Sequence, residues 1–162
     1  MILAMSTTPP SDLVIRSATT ADEATLSHLA ARLASFDLPP WRTPDEIVSA
    51  DAREMIGAVR ARLADDQVFL AERSGTPVGC LYVLLATDFF GTRHAHISVI
   101  ATSEAAEGTG VGRALMAYAE NWARQRRLSL LTLNVFAANT RARRFYEQAG
   151  MAPEFLKYAK AL

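Results

Sequence analysis

Seven consecutive residues, Glu107-Gly108-Thr109-Gly110-Val111-Gly112-Arg113, have the composition of an anion seat. Alternating glycines let the backbone turn sharply and come close to a ligand, because no Cβ intrudes. A helical pattern starts within this run, so the free N–H groups of its first turn point into the bend, where the helix dipole adds partial positive charge. The chemistry is that of phosphate or pyrophosphate binding. A nucleoside-triphosphate loop would need Gly-Lys-Ser/Thr, whereas this run continues Gly112-Arg113-Ala114. A dinucleotide loop would follow the first strand of a βαβ unit, with an acid about 20 residues on. Here the turn comes late, and the next strand pattern, residues 128–136, has no Asp or Glu. Taken alone, a Gly-x-Gly-x-Gly run is equally well a tight connection.

Asn139, Ala142 and Tyr146 lie three and four residues apart, so one helix face carries all three. Ala142 leaves room for a ligand against the backbone. Tyr146 would present a phenol, whose ordinary pKa near 10 suits protonation of a thiolate leaving group; a core aromatic is the alternative. His94 and His96 share one strand face, about 7 Å apart. His96 is a candidate general base, with a structural imidazole or a water relay as alternatives. The His-Ala-His pair has no third ligand close in sequence, so no metal is expected. Cys80 is the single cysteine. Its apolar neighbours make it a buried strand thiol rather than a nucleophile, with no disulfide and a reducing compartment expected.

These groups need a frame. Residues 13–16 read as a strand, and a helix starts at Thr20 or Asp22 with Leu26, Leu29, Ala30 and Leu33 on one stripe. Pro39 and Pro40 lie beyond its end. Pro44-Asp45-Glu46 opens a second helix, whose apolar positions run from Val48 to Leu63 and which ends at Asp65-Asp66. Residues 67–73 and 78–85 form a hairpin about Ser74-Gly75-Thr76-Pro77. A strand over 94–102, a helix over 110–127, a strand over 128–136 and a helix over 139–149 follow. Gly150 closes the last of these helices. Residues 155–162 are expected to form a final strand.

The 162 residues, half of them hydrophobic, suit one domain over 13–162 behind a loose leader over 1–12. No apolar run reaches the ~20 residues of a membrane helix, and the first residues lack signal-peptide character, so a cytoplasmic location is expected. Net charge is zero, yet residues 1–90 carry 7 Lys/Arg against 12 Asp/Glu, and residues 91–162 carry 10 against 5. No uniformly basic face for nucleic acid is indicated. The split suits an anionic cofactor on one side and a cationic substrate on the other, though a chance split of solvated charges is the plainer account.

The Gly-rich turn opening a helix, then a strand, then Asn139-x-x-Ala142-x-x-x-Tyr146 and Gly150, resembles the GNAT superfamily of N-acetyltransferases. The resemblance runs from residue 14 to the C-terminus. It implies an α+β fold, a mixed and mostly antiparallel sheet flanked by helices and splayed between its fourth and fifth strands. It implies acetyl-CoA as co-substrate, with the pantetheine arm paired to backbone at Ile100, Ala101 and Thr102. The diphosphate would sit on the backbone of Glu107, Gly108, Thr109, Gly110, Val111, Gly112 and Arg113, with Asn139 and Ala142 along the arm. Tyr146 would face the thioester sulfur, and the amine would attack directly without an acyl-enzyme. Glu107 departs from the family's usual Arg or Gln; a carboxylate there repels a diphosphate unless it turns away, and Arg113 is available to compensate.

By the same resemblance the acceptor mouth lies over residues 36–42, with Asp37 and Trp41 as contacts, and Phe89 lies on a second rim. An acidic, aromatic rim favours a cationic amine of a small molecule or peptide. A homodimer is compatible with the family. Three other readings remain open: an acyltransferase using another acyl-CoA, a non-catalytic acyl-CoA sensor, and a structural partner using the same fold for oligomer contacts.

Overall fold

A computed structural model describes residues 12–162. The leader expected over 1–12 lies, apart from Asp12, outside them. Five strands form one sheet in chain order: β1 (Leu13–Ser17), β2 (Asp66–Arg73), β3 (Thr76–Thr87), β4 (Arg93–Thr102) and β5 (Leu131–Leu133). The first four pair antiparallel, and β5 lies parallel to β4. Helices α1 (Glu23–Ala30), α2 (Pro44–Ala61), α3 (Val111–Gln125) and α4 (Thr140–Gln148) flank the sheet. The α+β frame is as expected, down to the parting of β4 from β5.

Local chemistry sets the helix ends. Thr43 and Glu46 form a reciprocal cap at the start of α2, with Pro44 behind it. The side-chain oxygen of Asn139 accepts from the Ala142 amide at 3.1 Å and so starts α4. Gly150, at φ 86°, lets Met151 donate back to the Tyr146 carbonyl and closes it. α2 stops at Ala61 rather than at the acids, because Arg62 turns left-handed at φ 53°.

Each face of the sheet buries its own core. Phe69, Leu81, Val83, Ala95 and Ile97 pack under Val111, Leu115, Met116 and Trp122 of α3. Leu70, Cys80, Tyr82 and Val99 pack under Leu26 and Leu29 of α1 and Met55 and Val59 of α2. Each fully buried large aliphatic side chain contributes about 1.5–3 kcal/mol. Cys80 is fully buried, and desolvation pushes its thiol up to about 12, so it offers no thiolate near neutral pH.

Two expectations at the C-terminal end are corrected. β5 covers three residues rather than nine, because β4 stops pairing with it after Ile97. Residues 155–162 form no strand: Phe155, Leu156 and Tyr158 are exposed, and no strand of the sheet lies beside them.

Gly79 of β3 is where strand and helix meet most closely. A Cβ there would lie 2.8 Å from the Ala101 carbonyl oxygen and 3.1 Å from side-chain atoms of Leu115 and Val111. Gly79→Ala is therefore expected to cost about 1–3 kcal/mol. Urea denaturation checks this, and an unchanged midpoint would contradict the contact.

Candidate functional site

The site begins at a bulge. Tyr82 pairs with Val99 and Val83 with Ile97, so Ser98 is an extra residue on β4. Such an insertion bends the strand. On the other edge of β4, pairing with β5 covers only Ala95, His96 and Ile97, against Leu131, Thr132 and Leu133. Beyond that point β4 runs to Thr102 held by β3 alone. The edge of Ile100, Ala101 and Thr102 away from β3 therefore has no neighbouring strand among the described residues. The bulge also switches side-chain parity: Ala95 and Ile97 belong to the α3 core, while Val99 and Ala101 belong to the α1–α2 core.

The unpaired stretch leads through Ser103 and a 3-10 turn, Glu104–Ala106, into the Gly-rich bend. Gly108 and Gly110 take φ of 72° and 89°, which other residues adopt at a cost, and the space above both is open. Among the described residues neither amide donates to any backbone carbonyl. The amides of Val111, Gly112 and Arg113 open α3 and have no carbonyl a turn earlier in the helix. Thr109 shapes the bend instead. Its amide and hydroxyl both donate to the Ala106 carbonyl, and Arg73 donates to its hydroxyl oxygen at 3.3 Å. Gly112 has a packing reason as well, since a Cβ there would meet the Phe145 ring at 3.3 Å.

Glu107 does not face the bend as a lone charge. Arg32 donates to one of its carboxylate oxygens, and Arg141 pairs with the other at 2.7 Å. The Arg141 and Arg32 guanidiniums hold the carboxyl below its usual range. Arg113, by contrast, lines a groove between α3 and α4 with Met116, Phe145 and Gln148.

Tyr146 packs against the α3 core beside Phe145, and burial raises its phenol above the usual value. No described side chain hydrogen-bonds its hydroxyl. Alternation puts His96 on the opposite, α2 side. Its Nδ1 lies 2.8 Å from Thr132 Oγ1 across the middle β4–β5 pair. Burial and nearby His94 lower its pKa against an opposing pull from Glu54, so the ring is neutral near pH 7. His94 is buried, with Nδ1 at 3.1 Å from the Thr92 carbonyl. Ser98 donates to Glu54 at 3.1 Å, which ties the bulge to α2.

Phe36, in the connection between α1 and α2, stacks on Phe136 beyond β5 with ring centres 5.4 Å apart. Asp37 and Trp41 lie on the same connection, both exposed. Phe89 stands apart at the tip of the β3–β4 hairpin, against Phe90 and Phe155, at the far end of β4 from the bend. The bend and α4, which carries Asn139, Ala142 and Tyr146, meet through the Glu107–Arg141 pair and the Gly112–Phe145 contact; Phe89 does not join them. Sequence reasoning missed Arg32, Arg141, Asp51 and Glu54. The last two lie three apart on α2, a spacing that already puts both on one helix face.

Among the described residues, no helix is long and apolar enough to cross a membrane, and no group of three His, Cys, Asp or Glu could hold a metal ion. The chain matches the acetyltransferase (GNAT) family over residues 29–151 and belongs to it. No curated protein matches it in sequence. Among solved structures it is similar to a transcriptional regulator from Bacillus halodurans C-125, at 25% identity and TM-score 0.66, over 93% of this chain and 99% of that one. It is similar to a ribosomal-protein-alanine N-acetyltransferase from Brucella melitensis biovar Abortus 2308, at 18% identity and TM-score 0.67, over 93% and 99%. A third is AAC(6')-Iy in complex with the bisubstrate analogue CoA-S-monomethyl-acetylneamine, at 16% identity and TM-score 0.68, over 94% and 100%.

Asp51 gives the α2 wall a measurable signature. Burial, then the charge of Glu54, raises its pKa to about 6, against about 3.9 in an unfolded chain. Between these values the folded state binds more protons, so the stability of the protonated form is full below pH 4 and is lost as pH rises through about 6. Asp51→Asn is expected to unfold at a higher temperature than the parent at pH 7.5 and to match it at pH 4. Thermal unfolding across that range checks the sign; a constant difference would refute it.

Proposed function

We propose that this chain transfers the acetyl group of acetyl-CoA to a primary amine of a small molecule or peptide, by direct attack within a ternary complex. One observation carries the reading: β4 and β5 part after three paired residues, and the open edge of β4 leads straight into a bend of unused amides. That is a slot for an extended arm, ending in a seat for its anionic head. Acetyl-CoA would supply the activated thioester. The residues fit it: the space above Gly108 and Gly110 is open, and the free edge at Ile100–Thr102 suits an added strand.

In this reading the amides of Gly108, Gly110, Val111, Gly112 and Arg113 donate to the diphosphate, and Glu107 and Thr109 shape the turn. Ala142 clears the face of α4. The Asn139 oxygen is committed to capping, so its amide nitrogen is the group left for the arm. Tyr146 stays protonated near neutral pH and gives its proton to the departing thiolate. His96, neutral and on the other face, takes the proton of the attacking amine through its second ring nitrogen, directly or through water. Acid and base thus flank the opening from opposite sides of the sheet, which separates the leaving group from the nucleophile. Asp37 and Trp41 on the α1–α2 connection, and Phe89 at a further rim, are the proposed acceptor contacts. Asp51 and Glu54 on the same side of the sheet favour a cation.

The similar structures named for acetylation of a protein's alanine and for an acetylneamine conjugate support an amine acceptor of either size. The relative named as a transcriptional regulator favours a second reading, a coenzyme sensor without turnover. The test is an amine and peptide panel with acetyl-CoA, read by thiol release. Tyr146→Phe is expected to lower kcat about 100-fold or more, with the Kd for CoA nearly unchanged. Coenzyme binding without turnover on any amine would favour the sensor. Absence of thermal stabilisation by millimolar CoA would remove both readings.

A further inference from the structure

Glu107 opens the anion-binding bend, yet it is the anion that occupies two arginines. Arg32 reaches it from the 3-10 turn after α1 (Ala31–Ala34), and Arg141 from the first turn of α4. The Glu107–Arg141 pair spans the mouth where the strands part, since Glu107 follows β4 and Arg141 follows β5. One carboxylate between two guanidiniums leaves a net positive charge beside the bend.

Neither arginine is well accounted for by stability. Arg141 sits at the positive end of the α4 dipole, where a cation is disfavoured, and the first turn of α4 carries no acid of its own. Its side chain is 71% exposed, and exposed ion pairs contribute little. The Nε of Arg32 is buried with no hydrogen-bond partner among the described residues, an uncommon arrangement for a donor. A guanidinium has five donors in a fixed fork, which suits two phosphate oxygens better than a shared carboxylate.

Building on the coenzyme reading above, we infer that Arg32 and Arg141 are side-chain ligands of the diphosphate, and that Glu107 is a placeholder which the diphosphate displaces. The exchange moves two guanidiniums from one negative charge to two. It releases Glu107 to solvent and opens the link across the mouth.

Calorimetric titration of the full chain with CoA tests this, with acetyl-pantetheine, which lacks the diphosphate, titrated in parallel. Arg141→Ala and Arg32→Ala are each expected to weaken CoA binding about 10-fold, the range of one charge-assisted hydrogen bond. Glu107→Gln is expected to tighten CoA binding several-fold, because the competing anion is gone. All three should leave acetyl-pantetheine affinity unchanged, which a general distortion of the slot would not. Should an alanine variant fail to fold, Arg141→Lys and Arg32→Lys keep the charge without the fork and are expected to lie between parent and alanine. Arginine variants that bind CoA as the parent does, or a Glu107→Gln variant that binds it more weakly, would overturn the inference alone. A parent chain that does not bind CoA overturns it together with the proposed function.

Discussion

A parallel strand pair that separates after three residues is the constraint from which the rest of this molecule follows. Unpaired backbone N–H and C=O groups must find partners in water or in a ligand, and a gap in a sheet ordinarily zips shut. Here it cannot. The extra residue Ser98 turns β4 away just past the last β5 contact, while β3 holds β4 on its other edge through Thr102. Ser98 is fastened to Glu54 of α2, so the bend has an anchor outside the sheet. The opening is thus built in by one inserted residue and does not depend on an occupant to hold it.

That geometry also explains how one short strand can serve two environments. Before the bulge, odd-numbered residues of β4 look toward α3; after it, they look toward α1 and α2. His96 therefore lies on the side of Glu54, and Tyr146 rests against the apolar core under α3. A phenol stays neutral most readily where desolvation disfavours its anion, and a histidine stays neutral where burial and a second imidazole disfavour its cation. In the proposed reaction, opposite surroundings on either side of one gap would set both groups in the protonation state that acid and base need near pH 7.

What was legible in the sequence was local. The glycine turn, the Asn139–Ala142–Tyr146 spacing, the Pro44-Asp45-Glu46 helix start and the Gly150 stop each depend on residues a few positions apart, and each has one cheap conformation. The fold class followed from their order. What was not legible depends on distant partners. The length of β5 is set by a bulge some thirty residues earlier, so an apolar run of Leu, Thr and Val read as a longer strand than it is. The tail shows the same limit: its aromatic residues suit a strand, but no strand lies beside them. Arg32 lies 75 residues from Glu107 in the chain, and nothing in its helical surroundings marks it as a partner. Arg141 lies two residues past Asn139, but its partner Glu107 is 34 residues earlier, so local spacing does not join them.

The carboxylate at position 107 then changes meaning. Judged by its own charge, an acid at the head of a phosphate turn weakens the site. Judged with its partners, it is the negative member of a cluster whose total is positive, and the cluster's cations come from elements on both sides of the slot. A fixed arginine at 107 would place charge on the bend alone. In the inferred site, distributing the cations to the turn after α1 and to the start of α4 would make the seat depend on three elements being in place together. With Glu107 between them, the same three elements already meet in the free chain, so the cations are gathered beside the bend before an anion arrives.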